Sequence, residues 1–425
     1  MPMQPWFPEA KLGIFIHYGI YAVDGVAESW SFYSGEIPYD QYMNQLHGFT
    51  AARYDARAWA DLFARAGARY AVLTARHHDG VALWDTAHGN LNVTRHTPAG
   101  RDLIGPYADA LRERGLKVGL YYSHSDWSHP DYASVTHPDP PPGRGDLITC
   151  RYVAPPDGRQ DAEAWRRYLA YRDAQVGELV SRYRPDLLWF DGEWERSEQQ
   201  WGIDALADRI LAANPETILN SRMLSRGDYA TPEQGTPLTP PDGPWELCLT
   251  INDNWGYRHH DHHHKSVSQL VRYFVETIGM GGNLLLDVGP REDGTITPEQ
   301  TERLEGLGAW IARHAEAVYG TTAGLPPGHH YGPSTLSADR RTLYLVCFGD
   351  PGDTVSVRGL RNAVKGVTVL GTGQELTHDV TGGYGDIPGV LWITAPPASA
   401  LDLYATVLAV ELAGELDLYR GTGRA

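Results

Sequence analysis

The stretch LLWFDGEW, residues 187–194, joins a short apolar run to an aspartate, Asp191, and a glycine turn. An apolar run of this length, bounded by a turn signal, is typical of a strand buried on both faces of a parallel sheet. A carboxylate at the end of such a strand costs free energy to desolvate. A helix N-cap after the strand is one interpretation of Asp191, and a nucleophile held ionised by neighbouring donors is the other.

Further runs of the same kind lie between residue 11 and about residue 290. They are GIFIHYG, YAVLTARHHDG, KVGLYYSHSDW, TILNSR, WELCLTI and NLLLDVG. Amphipathic segments with apolar residues at helical spacing, such as ARAWADLFARAGA, lie between them. This alternation predicts a parallel β/α sheet or barrel, with functional groups at the C-terminal ends of the strands. Because only seven strands are visible, we predict an irregular (β/α)8-like barrel.

A proline- and glycine-rich segment, TTAGLPPGHHYGP, follows the last amphipathic helix and predicts a domain boundary. Beyond it, short β-rich runs separated by turns predict a small antiparallel β-sandwich. We therefore predict a catalytic barrel domain over residues 1–324 and a C-terminal β-sandwich domain over residues 325–425. Residues 129–160, rich in Pro, Gly and Asp, predict a long surface loop between two barrel units.

The formal net charge of −17 limits the classes of ligand. Nucleic acids, anionic membranes and polyanionic substrates are repelled by a surface of this sign, so we expect a neutral or cationic ligand. The 13 Trp and 24 Tyr suit sugars or aromatic ligands, although such rings also fill cores. Three separated cysteines indicate no disulfide framework. With no export signal visible, a cytoplasmic location is the default expectation.

A glycosidase places two carboxyl groups across the scissile bond, so in that hypothesis Asp191 needs a partner. Glu193 and Glu195 lie too close to Asp191 in sequence to face it across a sugar, and we interpret both as rim groups. Glu233 lies on a turn-rich loop after NSRM, and Glu246 begins a predicted strand. From the residues alone, the role of the acid stays open between Glu233 and Glu246.

Two groups of histidines raise the alternative of a metal site. His77 and His78 end a predicted strand, where a regular extended backbone would point them to opposite sides. The run RHHDHHH spans residues 258–264. Neither group is accompanied by HExxH or by Cys/His spacing, so we predict no metal and interpret the run as a solvated loop. The glycine-rich GMGGNLLLDVGP leads into a strand rather than a helix, so no nucleotide cofactor is predicted.

Together these segments resemble the family 29 glycoside hydrolases, the retaining α-L-fucosidases. The segments that carry the resemblance are KLGIFIHYGIYAV, ESWSFY, YAVLTARHHDGVALWDT, GLYYSHSDW, DLLWFDGEW, NSR, WELCLTINDNWGY and GGNLLLDVGPREDGTI. The resemblance implies a barrel followed by a sandwich, no cofactor, and removal of terminal α-L-fucose by double displacement. Three positions depart from the family pattern: Tyr18 replaces a Trp, Ser29 is inserted, and Asp287 replaces an Asn.

The resemblance also implies roles for individual residues. It implies that Asp191, at the end of the W-x-D strand, is the nucleophile. It implies that Glu233, in a T-x-E context, is the acid/base, and so favours Glu233 over Glu246. The implied fucose pocket comprises His17, Glu28, Trp30, His77, His78, Tyr121, Trp189 and Arg222. Such residue types suit three ring hydroxyls and the apolar face of a 6-deoxy sugar.

The expected partner is a fucosylated oligosaccharide or glycoconjugate, with no nucleic acid and no membrane. Two alternatives are a retaining glycosidase for a related galacto-configured sugar and a fucose-binding protein that has lost catalysis. The presence of both Asp191 and Glu233 favours hydrolysis. Linkage specificity is expected to depend on loops that contact the second sugar, such as residues 129–160.

Overall fold

The computed structural model describes residues 3–89, 91–132 and 161–421 of the 425-residue chain. Its central sheet has seven parallel strands in the order β5-β4-β3-β2-β1-β7-β6. Strands β1 to β7 are Leu12–Ile16, Tyr70–Arg76, Lys117–Ser123, Leu187–Asp191, Ile218–Leu219, Glu246–Thr250 and Asn283–Val288. Each strand coincides with one of the predicted apolar runs, with β1 beginning one residue before its run, so the predicted irregular barrel is confirmed.

Helices alternate with these strands, as the amphipathic spacing predicts. Helices α1 to α12 are Trp6–Ala10, Trp30–Tyr33, Tyr39–Asn44, Ala56–Arg65, Val93–His96, Ile104–Glu113, Ala162–Tyr183, Glu198–Trp201, Ile203–Ala213, Val267–Gly279, Pro298–Arg313 and Ala315–Val318. Short 3-10 helices span Ile20–Ala22, Gln45–His47, Glu193–Glu195, Ser221–Arg226 and Ala398–Ala400. Local capping explains several helix starts: Asp55 accepts from the backbone N–H groups of Arg57 and Ala58, and Ser266 forms a capping box with Gln269.

The strands of the central sheet are buried on both faces. Every residue of β1, β2, β6 and β7 is buried, and β4 is buried up to Asp191, which is half-buried. Helices cover the outer face of these strands, and packed side chains cover the inner face. Such strands therefore consist of continuous apolar runs, which made them recognisable in the sequence. None of the helices in the described ranges is long and apolar enough to cross a membrane.

An irregular segment occupies the position between β5 and β6 where an eighth strand would lie. Isolated parallel bridges join Asn220 to Tyr229, Ala230 to Trp245 and Glu233 to Cys248. The backbone N–H of Cys248 donates to the carbonyl of Pro232 at 3.1 Å, and that of Gln234 donates to Cys248 at 2.9 Å. Glu233 therefore lies on the predicted turn-rich loop, and β6 holds the backbone of that loop on both sides of Glu233.

The C-terminal region forms two antiparallel sheets. Strands β8 to β15 are Thr321–Ala323, Ser334–Ser337, Thr342–Cys347, Thr354–Val357, Val364–Val369, His378–Thr381, Val390–Thr394 and Thr406–Leu412. A five-stranded sheet, β12-β15-β10-β9-β8, and a three-stranded sheet, β11-β14-β13, share one apolar core. The β-rich C-terminal region is thus confirmed. The boundary at 324/325 stays a prediction, and β8, which precedes it, already pairs with β9.

Candidate active site

Asp191 lies at the C-terminal end of β4, where three donors converge on its carboxylate. The hydroxyl of Tyr121 donates to Oδ2 at 3.0 Å, and Nε2 of His78 lies 3.3 Å from the same oxygen. Nη1 of Arg222 donates to Oδ1 at 3.2 Å. Burial by itself would raise the pKa of Asp191, but the His78 hydrogen bond and the Arg222 charge outweigh it and hold that pKa well below its usual range. The carboxylate is thus ionised and oriented.

Gly192 allows the chain to turn away immediately after this carboxylate. Its φ is +83°, a left-handed conformation that favours glycine. A Cβ atom at this position would lie 2.5 Å from Oγ of Ser125 and 3.0 Å from Cε1 of His78. The glycine therefore leaves room for the His78 ring beside Asp191, and Ser125 orients that ring through a 2.6 Å contact with Nδ1.

Arg222 connects several carboxylates. It lies on the 3-10 helix after β5, where Leu224 adopts a positive φ of 50°. Strained backbone of this kind clusters at functional sites, where the surrounding structure maintains it. Besides Asp191, Nη1 contacts Oε1 of Glu193 at 3.3 Å, and Nη2 contacts Oε2 of Glu233 at 3.3 Å. One guanidinium therefore brings Glu233 to the Asp191 end of the site.

Glu233 has the electrostatic surroundings of a proton donor. Burial raises the pKa of its carboxyl, and the negative charge of Asp191 raises it further, while Arg222 acts in the opposite direction. Two carboxyl groups whose surroundings push their pKa values apart are the usual basis for separate nucleophile and acid roles. In this site the pKa of Asp191 is lowered and that of Glu233 is raised.

Three histidine rings line the site next to these carboxylates. Nδ1 of His17 lies 2.7 Å from Oδ1 of Asp287, and Nδ1 of His77 lies 2.5 Å from the hydroxyl of Ser29. His78 is likewise held at Nδ1 by Ser125, and its Nε2 contacts Asp191. Burial lowers the pKa of His17 to about 3 and also lowers that of His77. Both rings are therefore neutral hydrogen-bonding groups at neutral pH.

Aromatic rings surround the polar groups. Trp189 stacks on Tyr121 with ring centroids 5.6 Å apart, and the Arg222 guanidinium lies 5.6 Å from the Trp189 ring. Trp30 stacks on Trp194 at 6.1 Å and packs edge-on against Trp127 at 4.9 Å. An oriented carboxylate, neutral histidines, an arginine and indole faces together suit a sugar with hydroxyl groups on one side and an apolar surface on the other.

Comparison with known proteins identifies the family. A model of the alpha-L-fucosidase family matches residues 1–316. The chain belongs to the alpha-L-fucosidase family. It is therefore a glycoside hydrolase. The tissue alpha-L-fucosidase of Bos taurus is 32% identical over 347 residues, which cover 75% of this chain and 69% of that protein.

Solved fucosidase structures share the whole architecture. Alpha-L-fucosidase isoenzyme 1 from Paenibacillus thiaminolyticus superposes with a TM-score of 0.85 at 35% identity, covering 96% of this chain and 98% of that chain. A family 29 alpha-L-fucosidase from Bacteroides thetaiotaomicron, trapped as a covalent intermediate with 2-fluoro-fucosyl fluoride, gives a TM-score of 0.82 at 25% identity. The latter comparison covers 95% of this chain and 94% of that chain.

The fucosidase fold places the predicted site residues at one end of the barrel or in direct contact with the residues there. His77 and His78 do not point to opposite sides, because β2 ends at Arg76 and the two rings lie 4.7 Å apart in one cluster. Glu28 is buried, and its carboxylate accepts a hydrogen bond from the backbone N–H of Gly256. Burial raises the pKa of Glu28 to about 7.

The interpretation of Glu193 and Glu195 as rim groups is wrong. The side chain of Glu193 is only 17% exposed and shares Nη1 of Arg222 with Asp191. Glu195 is buried, and its carboxylate accepts from Nε1 of Trp127 at 2.7 Å and from the hydroxyl of Tyr132 at 2.6 Å. The short 3-10 helix turns both side chains inward, which the local sequence did not indicate.

Glu246, the other candidate for the acid, supports the site through its contact with Trp189. It is the first residue of β6, at the end opposite the site, and is wholly buried. Nε1 of Trp189 donates to its Oε1 at 3.0 Å, and the Tyr70 hydroxyl donates to Oε2. Burial raises the pKa of Glu246 to about 7. With both oxygens occupied by buried donors, Glu246 tethers Trp189, and the geometry favours Glu233 for contact with a substrate.

Replacing Glu246 by alanine is expected to lower the free energy of unfolding by about 2–4 kcal/mol, because two buried donors would lose their acceptor. Urea denaturation would measure the change. Glu302→Ala is the matched control, since that glutamate is 72% exposed. An unchanged free energy of unfolding would contradict the tethering role.

Trp255 is a further site residue that was not predicted from the sequence. Its ring lies 5.1 Å from that of His17 and 6.0 Å from that of Phe15. Trp255 follows β6 in the segment WELCLTINDNWGY, and its position just after a barrel strand is a signal that could have identified it.

The histidine-rich run at residues 258–264 lies further along the chain after β6, and Nδ1 of His263 contacts Asp253 at 3.1 Å. Among the described residues, no group of three or more His, Cys, Asp or Glu is arranged to hold a metal ion.

Proposed function

We propose that this chain is an exo-acting retaining α-L-fucosidase that removes terminal α-L-fucose from glycans or glycosides by double displacement. The observation that carries the proposal is the joint placement of Asp191 and Glu233 on Arg222, with opposite changes in pKa. The family match and the covalent intermediate trapped in a relative support the same chemistry.

In the first half of the reaction, an oxygen of Asp191 attacks the anomeric carbon of fucose. Glu233 donates its proton to the glycosidic oxygen, the C–O bond to the aglycone breaks, and a fucosyl ester forms on Asp191. In the second half, Glu233 removes a proton from water as the water attacks the same carbon. The products are fucose with its original anomeric configuration and regenerated Asp191.

The pocket residues support this substrate by their chemistry. The Nε2 atoms of His17 and His77, together with Glu28, can bond ring hydroxyls, and Tyr121 and His78 hold the nucleophile. Trp30, Trp189 and Trp255 supply apolar surface for the sugar face and the C5 methyl group. A galacto-configured sugar carries a hydroxymethyl group at C5, so its rate of hydrolysis measures how tightly that position is packed.

The test is hydrolysis of an aryl α-L-fucoside beside aryl α-L- and β-D-galactosides, with proton NMR of the first product formed. We expect the fucoside to be the best substrate and α-L-fucose to appear before mutarotation. Initial release of β-L-fucose would contradict retention. A faster galactoside would move the assignment to a related sugar, and tight binding of fucose without turnover would indicate a binding protein.

The pH dependence of kcat/KM follows from the two carboxyl groups whose pKa values are shifted, Asp191 and Glu233. The first step requires ionised Asp191 and protonated Glu233. Since the pKa of Asp191 is lowered, the acidic limb is expected below the range of an ordinary aspartate, about pH 3.9. Since the pKa of Glu233 is raised, the alkaline limb is expected above that of an ordinary glutamate, about pH 4.3. An unchanged alkaline limb in the Glu233→Gln variant would assign that limb to another group.

A further inference from the structure

The strongest unexplained feature of the site is a third carboxylate, Glu193. Nη1 of Arg222 lies 3.2 Å from Oδ1 of Asp191 and 3.3 Å from Oε1 of Glu193, while Nη2 serves Glu233. One guanidinium nitrogen is therefore shared between the proposed nucleophile and a residue without an assigned role. The double displacement uses only two of the three carboxyl groups that contact Arg222.

Glu193 is held firmly in this position. Its backbone carbonyl accepts from Nε1 of Trp201 at 2.8 Å, and its side chain is only 17% exposed. Its second oxygen, Oε2, is buried and has no hydrogen-bond partner among the described residues. A buried carboxylate with one free oxygen is costly unless a cation or a proton compensates it. Arg222 is the cation that contacts it.

The charged and titratable groups around Glu193 come from different elements. Asp191 lies on β4, Arg222 on the 3-10 helix after β5, and Glu233 on the segment beside β6. His78, after β2, contacts Asp191, and burial lowers the pKa of His124, after β3. Burial, and then the charge of Asp191, raises the pKa of Glu193 to about 7 against the opposing effect of Arg222. Glu193 therefore responds to any change in the charge of Asp191.

The proposed mechanism changes that charge once in every turnover. When Asp191 becomes a fucosyl ester it is neutral, and Nη1 of Arg222 keeps Glu193 as its carboxylate partner. The repulsion that favours protonated Glu193 disappears in the same step.

We propose that Glu193 is a positioning residue that takes over Arg222 when Asp191 is esterified, releasing a proton to solvent as it becomes the anionic partner of the guanidinium. This inference rests on the proposed fucosidase function. Its consequence is that Arg222, and through it Glu233, keep their positions for the hydrolysis of the intermediate. Glu193 restores the original arrangement by taking up a proton when the ester is cleaved.

The direct test counts protons in the Glu233→Gln variant during labelling with 2-fluoro-fucosyl fluoride. In this reaction the Asp191 oxygen forms the bond to the anomeric carbon, and fluoride leaves with the electron pair of the C–F bond. The substitution itself releases no proton, and glutamine at position 233 has none to lose. A pH indicator in weak buffer is therefore expected to report release of a fraction of a proton per labelled site at pH 7, because Glu193, with a pKa of about 7, becomes ionised.

The double variant Glu193→Gln/Glu233→Gln is the matched control and is expected to release no proton on labelling. Labelling of the single variant without proton release would overturn this inference and leave the proposed function intact. Failure of any labelling, measured by mass spectrometry, would overturn the proposed function and this inference with it.

Steady-state kinetics of Glu193→Gln give a second, independent readout. Because Arg222 would lose its partner only in the intermediate, we expect hydrolysis of the ester to slow, by up to about 100-fold. On an aryl fucoside, kcat and KM should then fall together while kcat/KM changes little. Glu195→Gln is the control on the same 3-10 helix, since Glu195 contacts Trp127 and Tyr132 instead of Arg222. Proportional loss of kcat and kcat/KM in Glu193→Gln would overturn the positioning role.

Discussion

Replacement of Asp191 by alanine is expected to reduce kcat on an aryl α-L-fucoside on the order of 10⁴-fold or more, as loss of a covalent nucleophile does in other enzymes. The physical reason is specific to this site. Tyr121, His78 and Arg222 all contact one carboxylate, and removing it leaves three oriented donors without the group that we propose as the nucleophile. Initial rates over a range of substrate concentrations would measure the loss.

Rescue of activity by azide distinguishes a variant that has lost only its nucleophile from one that has lost its fold. In Asp191→Ala, a small anion can occupy the space of the missing carboxylate beside Arg222, and its attack on the anomeric carbon yields a fucosyl azide. Thermal denaturation should show a folded variant, and Asp204→Ala, whose side chain is 77% exposed, serves as the matched control. Undiminished hydrolysis by Asp191→Ala would refute the assignment of the nucleophile.

Replacement of Glu233 by alanine is expected to have the second largest effect, and the effect should depend on the leaving group. Natural glycosides require protonation of the departing oxygen, so a loss on the order of 10²-fold to 10⁴-fold in kcat/KM is expected for them. An activated aryl fucoside leaves without that proton, and its kcat/KM should fall far less. Parallel assays of an aryl fucoside and a fucosylated oligosaccharide would measure the difference.

Glu246→Gln is the control for this experiment, because Glu246 contacts Tyr70 and Trp189 at the other end of β6. Its effect should be similar for good and poor leaving groups. Equal losses on both substrates in Glu233→Ala, with a leaving-group dependence in Glu246→Gln, would reverse the two assignments.

The barrel strands were predictable because their signal is local. A strand buried on both faces needs apolar residues at successive positions, and a parallel strand ends at a polar turn, so each run carried its own boundary. The same reasoning placed Asp191, His77 and His78 at one end of the barrel. The family resemblance added the choice of Glu233 over Glu246, which residue types alone left open.

The eighth position of the barrel was not predictable in this way. The segment before β6 contains Pro and Gly, and isolated bridges at Tyr229, Ala230 and Glu233 replace a regular ladder. No continuous apolar run marks such a segment, because its backbone is held only at single points. Its Pro/Gly-rich composition predicted a turn-rich loop, but not the contacts with Cys248 that hold the backbone beside Glu233.

Local sequence patterns were sufficient to predict the order of the strands along the chain, the division into two regions, and the strand ends that carry polar site residues. These features depend on neighbours within a few positions, where hydrophobic spacing and turn residues act directly. Which carboxylates come into contact depends on tertiary packing instead. Glu193 and Glu195 are two residues apart, yet one contacts Arg222 and the other contacts Trp127 and Tyr132. Their roles differ because partners from distant strands, not the local sequence, determine how each buried charge is compensated.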